Sequence, residues 1–175
     1  MKKTALVWDG SWFVLLPLVF FGGMSSTSIL WPEMNPAWRF PVGLLFVLLT
    51  AVALGVHLLG HIACARLTVS SLPERLPLYL LGDAAQVWPP AGSIAGEVGC
   101  ALAGPCANLL LAGLGYALWE AQLEPGFSLL MAFFGAFNLG LALFNLGPSF
   151  PLDGGRIFNI FVKFWRAQKQ VEPPK

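Results

Sequence analysis

Four long stretches without Asp, Glu, Lys or Arg divide the chain: Gly10 to Pro32, Phe40 to Ala65, Val98 to Trp119 and Pro125 to Leu152. A helix needs about 20 apolar residues to cross a bilayer, and each stretch is long enough. The pattern therefore predicts four transmembrane helices, over 10–32, 40–65, 98–119 and 126–152. Residues 1–9 form a cytoplasmic N-terminus and 153–175 an interfacial tail. Between the second and third helices, Pro73, Pro77, Gly82, Pro89 and Pro90 interrupt residues 67–96 too often for a helix. This insertion reads as irregular, a hairpin or a re-entrant loop, with a short strand over Leu76 to Leu81. The expected fold is an all-α integral membrane protein with no separate soluble domain.

Composition supports that class. Of 175 residues, 57% are hydrophobic and 11% charged, outside the usual balance of a soluble domain. The net charge of +1 comes without a dense basic cluster, which argues against nucleic-acid binding. With a cytoplasmic N-terminus, Lys2, Lys3, Arg66, Arg75, Arg156, Lys163, Arg166, Lys169 and Lys175 all fall inside and only Arg39 outside. The positive-inside rule thus puts both termini in the cytoplasm. Asp9 and the lack of an Ala-x-Ala site argue against a cleaved signal peptide. Phe158, Phe161 and Phe164 alternate with Lys163 and Arg166, which predicts an amphipathic interfacial helix over Ile157 to Trp165.

The chemistry concentrates where the charge does not. His57 and His61, the only histidines, are one helical turn apart in the second predicted helix. At 1.5 Å per residue they lie about 14 and 8 Å from Arg66, inside the bilayer near its cytoplasmic side. Ionisable groups there are costly and usually functional. The spacing is that of a His-Glu-x-x-His zinc motif, but Leu58 stands where the glutamate would. Asp153 is the obvious third ligand, because Pro148 and Pro151 break the chain before it and Gly154 and Gly155 follow. Two imidazoles and a carboxylate make a common catalytic zinc set. Cys64, Cys100 and Cys106 read as small buried residues in helices, with Cys64 near enough to His61 to share its site. Glu97 suits the first turn of the third helix, where Pro105 also frees a backbone carbonyl.

His57-x-x-Gly60-His61, Ala103-Gly104-Pro105-x-x-Asn108 and Phe144-Asn145-Leu146-x-Pro148-x-x-Pro151-Leu152-Asp153-Gly154-Gly155-Arg156 together resemble the site-2 protease family of intramembrane zinc metalloproteases. The likeness is to a compact form without an extra soluble domain. It implies one zinc ion held by His57, His61 and Asp153 between the second and fourth helices. Asn108 and Asn145 would line the site or steady substrate. It also implies a lipid-bilayer setting and transmembrane proteins or membrane-protein complexes as partners.

Leu58 departs from the family at the residue that moves the proton. Loss of a positioned acid/base costs about 10² to 10⁴ in rate, or roughly 3 to 5 kcal/mol of barrier. Glu74, Asp83 and Glu97 are the carboxylates that a rescue would need. The expected function is therefore a metalloprotein that keeps its zinc site, has little or no proteolytic activity, and binds or stabilises transmembrane partners. The alternative is an active zinc-dependent endopeptidase that cuts transmembrane segments. Use of His57, His61 and Asp153 as a proton relay fits the long Pro-Leu-Asp-Gly-Gly motif less well.

Overall fold

The computed structural model describes residues 5–8, 10, 12–68, 75–78, 93–149 and 152–171. Helices carry it: α1 (Trp12–Leu30), α2 (Arg39–Thr68), α3 (Ile94–Glu120), α4 (Pro125–Asn145) and α5 (Asp153–Val171). A 3₁₀ turn at Pro36–Trp38 leads into α2, with the Asn35 side chain accepting from the Ala37 N–H at 3.0 Å. Among the described residues, α2 with that turn, α3 and α4 are long and apolar enough to cross a membrane, and α1 contributes a shorter apolar helix. The protein is a multi-pass integral membrane protein.

The faces of these helices show why. On α2 the buried residues Thr50, Ala53, His57, His61 and Ala65 recur every three or four positions, while Leu44, Leu48, Val52 and Leu59 face outward. On α3 the buried stripe runs Ala101, Gly104, Pro105, Asn108, Ala112 and Gly115, with Leu110 and Leu114 outside. Small and polar residues fill the interior, and large apolar ones cover the surface. In water that arrangement would forfeit apolar burial; in lipid, small residues let backbones approach and polar groups find partners across helices.

Helix α3 sits at the centre, packed against α2, α4 and α5, and α1 packs on α2. Leu49, Leu111, Leu118, Leu130 and Leu141 surround the buried Ala53, Met131 and Phe134. An apolar cleft of about 390 Å³ remains between α1, α2 and α4, lined by Gly22, Ser26, Phe46, Thr50, Phe133 and Phe137 among others.

A strand does form in the insertion, β2 (Arg75–Leu78), but its partner is β1 (Ala5–Trp8) near the N-terminus, in parallel with Ala5 opposite Arg75. That pairing ties the described strand of the insertion to Ala5–Trp8, while the hairpin expected within the insertion would involve residues that lie outside the described ones. The remainder of the insertion, with Glu74 and Asp83, lies outside the described residues. Within the segment expected over 126–152, α4 stops at Asn145, ahead of the break expected at Pro148 and Pro151, and α5 begins beyond it at Asp153. Pro148 and Pro151 prevent a continuous helix. The interfacial helix expected over Ile157 to Trp165 belongs to this longer α5, whose Phe158, Phe161, Phe164 and Trp165 are exposed.

Glu124 starts α4, accepting the Phe127 N–H at 2.7 Å. The N–H groups of Phe127 and Gly126 hold its carboxyl below the usual carboxylate range. A depressed carboxylate contributes stability that is present above its unfolded pKa and lost as pH falls through its folded one. Glu124→Ala should therefore lower the Tm of the purified protein at neutral pH. That difference should vanish in acid, as followed by thermal melts across a pH series.

Candidate metal centre

Both histidines lie on the buried stripe of α2, and α3 closes over them. A Cβ on Gly104 would overlap His61 Nε2 and lie 2.7 Å from His57 Nε2; one on Gly60 would lie 2.5 Å from the Ala103 carbonyl oxygen. Glycine at these two positions lets α2 and α3 approach until the imidazoles rest on the α3 backbone.

The other edge of each ring fixes its tautomer. Asn108, fully buried, gives its amide N–H groups to the Ala53 carbonyl at 3.2 Å and to Asn138 Oδ1 at 2.8 Å. Its Oδ1 is left to accept, and it lies 2.5 Å from His57 Nδ1. His61 Nδ1 lies 2.7 Å from the Cys100 carbonyl. Both partners are acceptors, so both Nδ1 atoms carry the proton and both Nε2 atoms present lone pairs. The Pro105 ring removes the N–H that would bond the Ala101 carbonyl; His61 uses the neighbouring Cys100 carbonyl instead.

Those two Nε2 atoms are 3.0 Å apart, and each is 3.3 Å from Asp153 Oδ2. Asp153 is 1% exposed, and among the described residues neither of its oxygens has a hydrogen-bond partner. Two lone pairs and an orphaned carboxylate thus converge in a buried space, where uncompensated polar groups are costly. A cation would satisfy all three. Tetrahedral zinc with bonds of about 2.0–2.1 Å has ligand–ligand edges of about 3.3–3.4 Å, close to the separations found. Among the described residues, His57, His61 and Asp153 are the His, Cys, Asp or Glu side chains grouped so that they could hold a metal ion.

Asp153 reaches the histidines from the first turn of α5, where a carboxylate is favoured by the helix dipole. A Cβ on Gly154 would overlap the Leu146 carbonyl, so this glycine seats α5 on the end of α4. Asn145 is buried at the last residue of α4 and donates to the Leu141 carbonyl at 2.9 Å. Its described hydrogen bond is within its own helix, unlike that of Asn108. Cys64 stands outside the metal group, its sulfur 3.2 Å from Cys100 Sγ. Leu58 is half-buried, and Glu97 occupies the first turn of α3, as the sequence suggests.

Asn138 was not legible as a site residue. It is fully buried, accepts from Asn108 and donates to the Phe134 carbonyl at 2.9 Å. One signal was available: it precedes Asn145 by two helical turns in an otherwise apolar run, and buried polar residues in lipid need partners.

Two variants test this support. Asn138→Leu removes the acceptor that orients Asn108, and loss of such an outer partner typically costs about 10- to 100-fold in metal affinity. Competition with a chromogenic chelator should show a loss in that range for zinc while α4 remains folded by circular dichroism. Gly104→Ala forces the imidazoles from their positions and should abolish stoichiometric zinc in the purified protein, measured by elemental analysis.

No protein-family profile matches the chain. A protein of Synechocystis sp. (strain ATCC 27184 / PCC 6803 / Kazusa) whose name proposes it as a zinc metalloprotease is 31% identical over 155 residues. The match takes in 87% of this chain and 40% of that protein, so the chain spans less than half its relative's length. In fold, the chain is similar to the site-2 protease from Methanocaldococcus jannaschii, with a TM-score of 0.58, 24% identity and coverage of 93% of this chain and 68% of the other. With its three motifs, the chain thus has the fold of a site-2 protease and is similar in sequence to a protein named as a zinc metalloprotease.

Proposed function

We propose that this chain is an intramembrane zinc-binding protein of the site-2 protease type that holds its metal but turns over peptide bonds slowly or not at all. Its role would be to bind or stabilise transmembrane segments of partner proteins. His57, His61 and Asp153 would be the ligands, with Asn108 orienting His57 and Asn145 at the mouth of the α4–α5 break. The observation that carries this reading is the pairing of a ligand set at tetrahedral spacing with a leucine at the acid/base position.

Zinc bound there supplies Lewis acidity for polarising a carbonyl or water. Hydrolysis also needs a group that takes a proton from water and returns one to the departing amine. Leu58 can do neither. Asp153 is committed to the cluster, and Glu97 lies at the start of α3 with no described side-chain contact to it. The metal group would still tie α2 to α5, a stabilisation that needs no turnover. Both termini would be cytoplasmic, following the distribution of Lys and Arg.

A second reading, an active endopeptidase that cuts transmembrane segments, draws support from the name of the Synechocystis relative and from the complete ligand set. The two part on one experiment. Unmodified protein and Leu58→Glu, each in nanodiscs and assayed for zinc, are given a reference transmembrane substrate. The proposal expects stoichiometric zinc in both, negligible cleavage by the unmodified chain and a gain of about 10² to 10⁴ in the variant. Chelator-sensitive cleavage by the unmodified chain would overturn inactivity, and absence of zinc would overturn the metal reading.

A further inference from the structure

Beside the metal centre lies a second group of reactive atoms that the proposed function does not use. Cys64 is one turn beyond His61 on α2, and Cys100 faces it from α3, with sulfurs 3.2 Å apart. The Thr68 hydroxyl sits 3.0 Å from Cys100 Sγ and 3.0 Å from the Cys64 carbonyl. Cys100 is buried, Cys64 half-buried, and Cys106 exposed on another face of α3. All three are free thiols.

We propose that Cys64 and Cys100 are a redox-active dithiol, closed to a disulfide by exchange with a small-molecule disulfide of the glutathione class. A disulfide needs its sulfurs about 2.05 Å apart, so from 3.2 Å the pair must move about 1.2 Å closer. Side-chain rotation can supply much of that, and a Cβ added at neighbouring Gly99 would still be 3.9 Å from Cys64 Sγ, which leaves room for that sulfur to turn. The position also favours access: both cysteines are near the ends of their helices, four residues before Thr68 and six after Ile94.

The exchange balances in two steps. Cys64, the more accessible thiol, attacks as thiolate on the reagent's S–S bond, forming a mixed disulfide and releasing one thiolate, which takes up the proton that Cys64 gave. Cys100 then attacks the Cys64 sulfur, expels the second reagent thiolate and passes it the other proton. Two protein thiols are oxidised, and one small disulfide is reduced to two thiols. Thr68 can turn its hydroxyl toward the Cys100 sulfur during the second step.

The closed bond would join α2 to α3 at the residue whose carbonyl holds His61 Nδ1. It would thereby fix that imidazole's support from the side opposite Asp153. The disulfide itself does not depend on the metal reading, and its test is arranged accordingly.

The full chain in detergent, zinc-loaded and zinc-stripped in parallel, is incubated with oxidised glutathione, alkylated and mapped by mass spectrometry. The expected product has lost two hydrogen atoms, yields a reducible Cys64–Cys100 peptide and keeps Cys106 alkylatable, with or without metal. It should form in Cys106→Ser and be absent from Cys100→Ser, which should stop at a glutathione adduct on Cys64. Cys64 and Cys100 both remaining alkylatable, or an unmodified chain that stops at the adduct, would overturn the proposal. Because the peptide map is made on the unmodified chain, a misfolded variant cannot decide the result.

Discussion

Two imidazole lone pairs pointed at each other across 3.0 Å, with a buried carboxylate 3.3 Å from both, form the constraint on which the rest of the molecule turns. Such a group is repulsive by itself. It is tolerated because each histidine is fixed from behind by an acceptor, Asn108 for His57 and the Cys100 carbonyl for His61. With the Nδ1 protons committed, neither ring can relieve the conflict by changing tautomer. A positive charge between the three atoms removes it, and a metal ion can supply that charge while using all three lone pairs at once.

Everything that positions the group follows from the needs of a helix bundle in lipid. Apolar side chains gain little by meeting one another there, so contact is won by small residues and by polar pairs. Gly60 and Gly104 allow the α2–α3 contact, and the amides of Asn108 and Asn138 link α2, α3 and α4. The proline break after α4 then turns the chain so that α5 starts at Asp153. One carboxylate delivered at a helix start completes what α2 begins.

Holding a metal and using it are separable, and the proposed function places that separation at one residue. The three candidate ligands have their hydrogen-bonded supports, while Leu58 offers no lone pair and no proton. The redox-active pair proposed at Cys64 and Cys100 lies behind His61 rather than in front of it. Its influence would therefore pass through ligand orientation.

The sequence by itself determined the class and the number of apolar segments, because charge-free length survives without tertiary context; the i, i+4 spacing singled out His57 and His61, and the motifs of the family resemblance pointed to Asp153. It also marked Leu58, since a missing functional group is a fact of composition. Only the tertiary structure decided that Asp153 comes from the start of α5, that Asn138 supports Asn108, that β1 pairs with β2 and that Cys64 meets Cys100 rather than the metal group. Each of these is a contact between residues 30 or more positions apart, or hangs on where a helix restarts after a proline. Local periodicity carries no record of either. The fold does, because in lipid every buried polar group must find its partner on another helix or within its own.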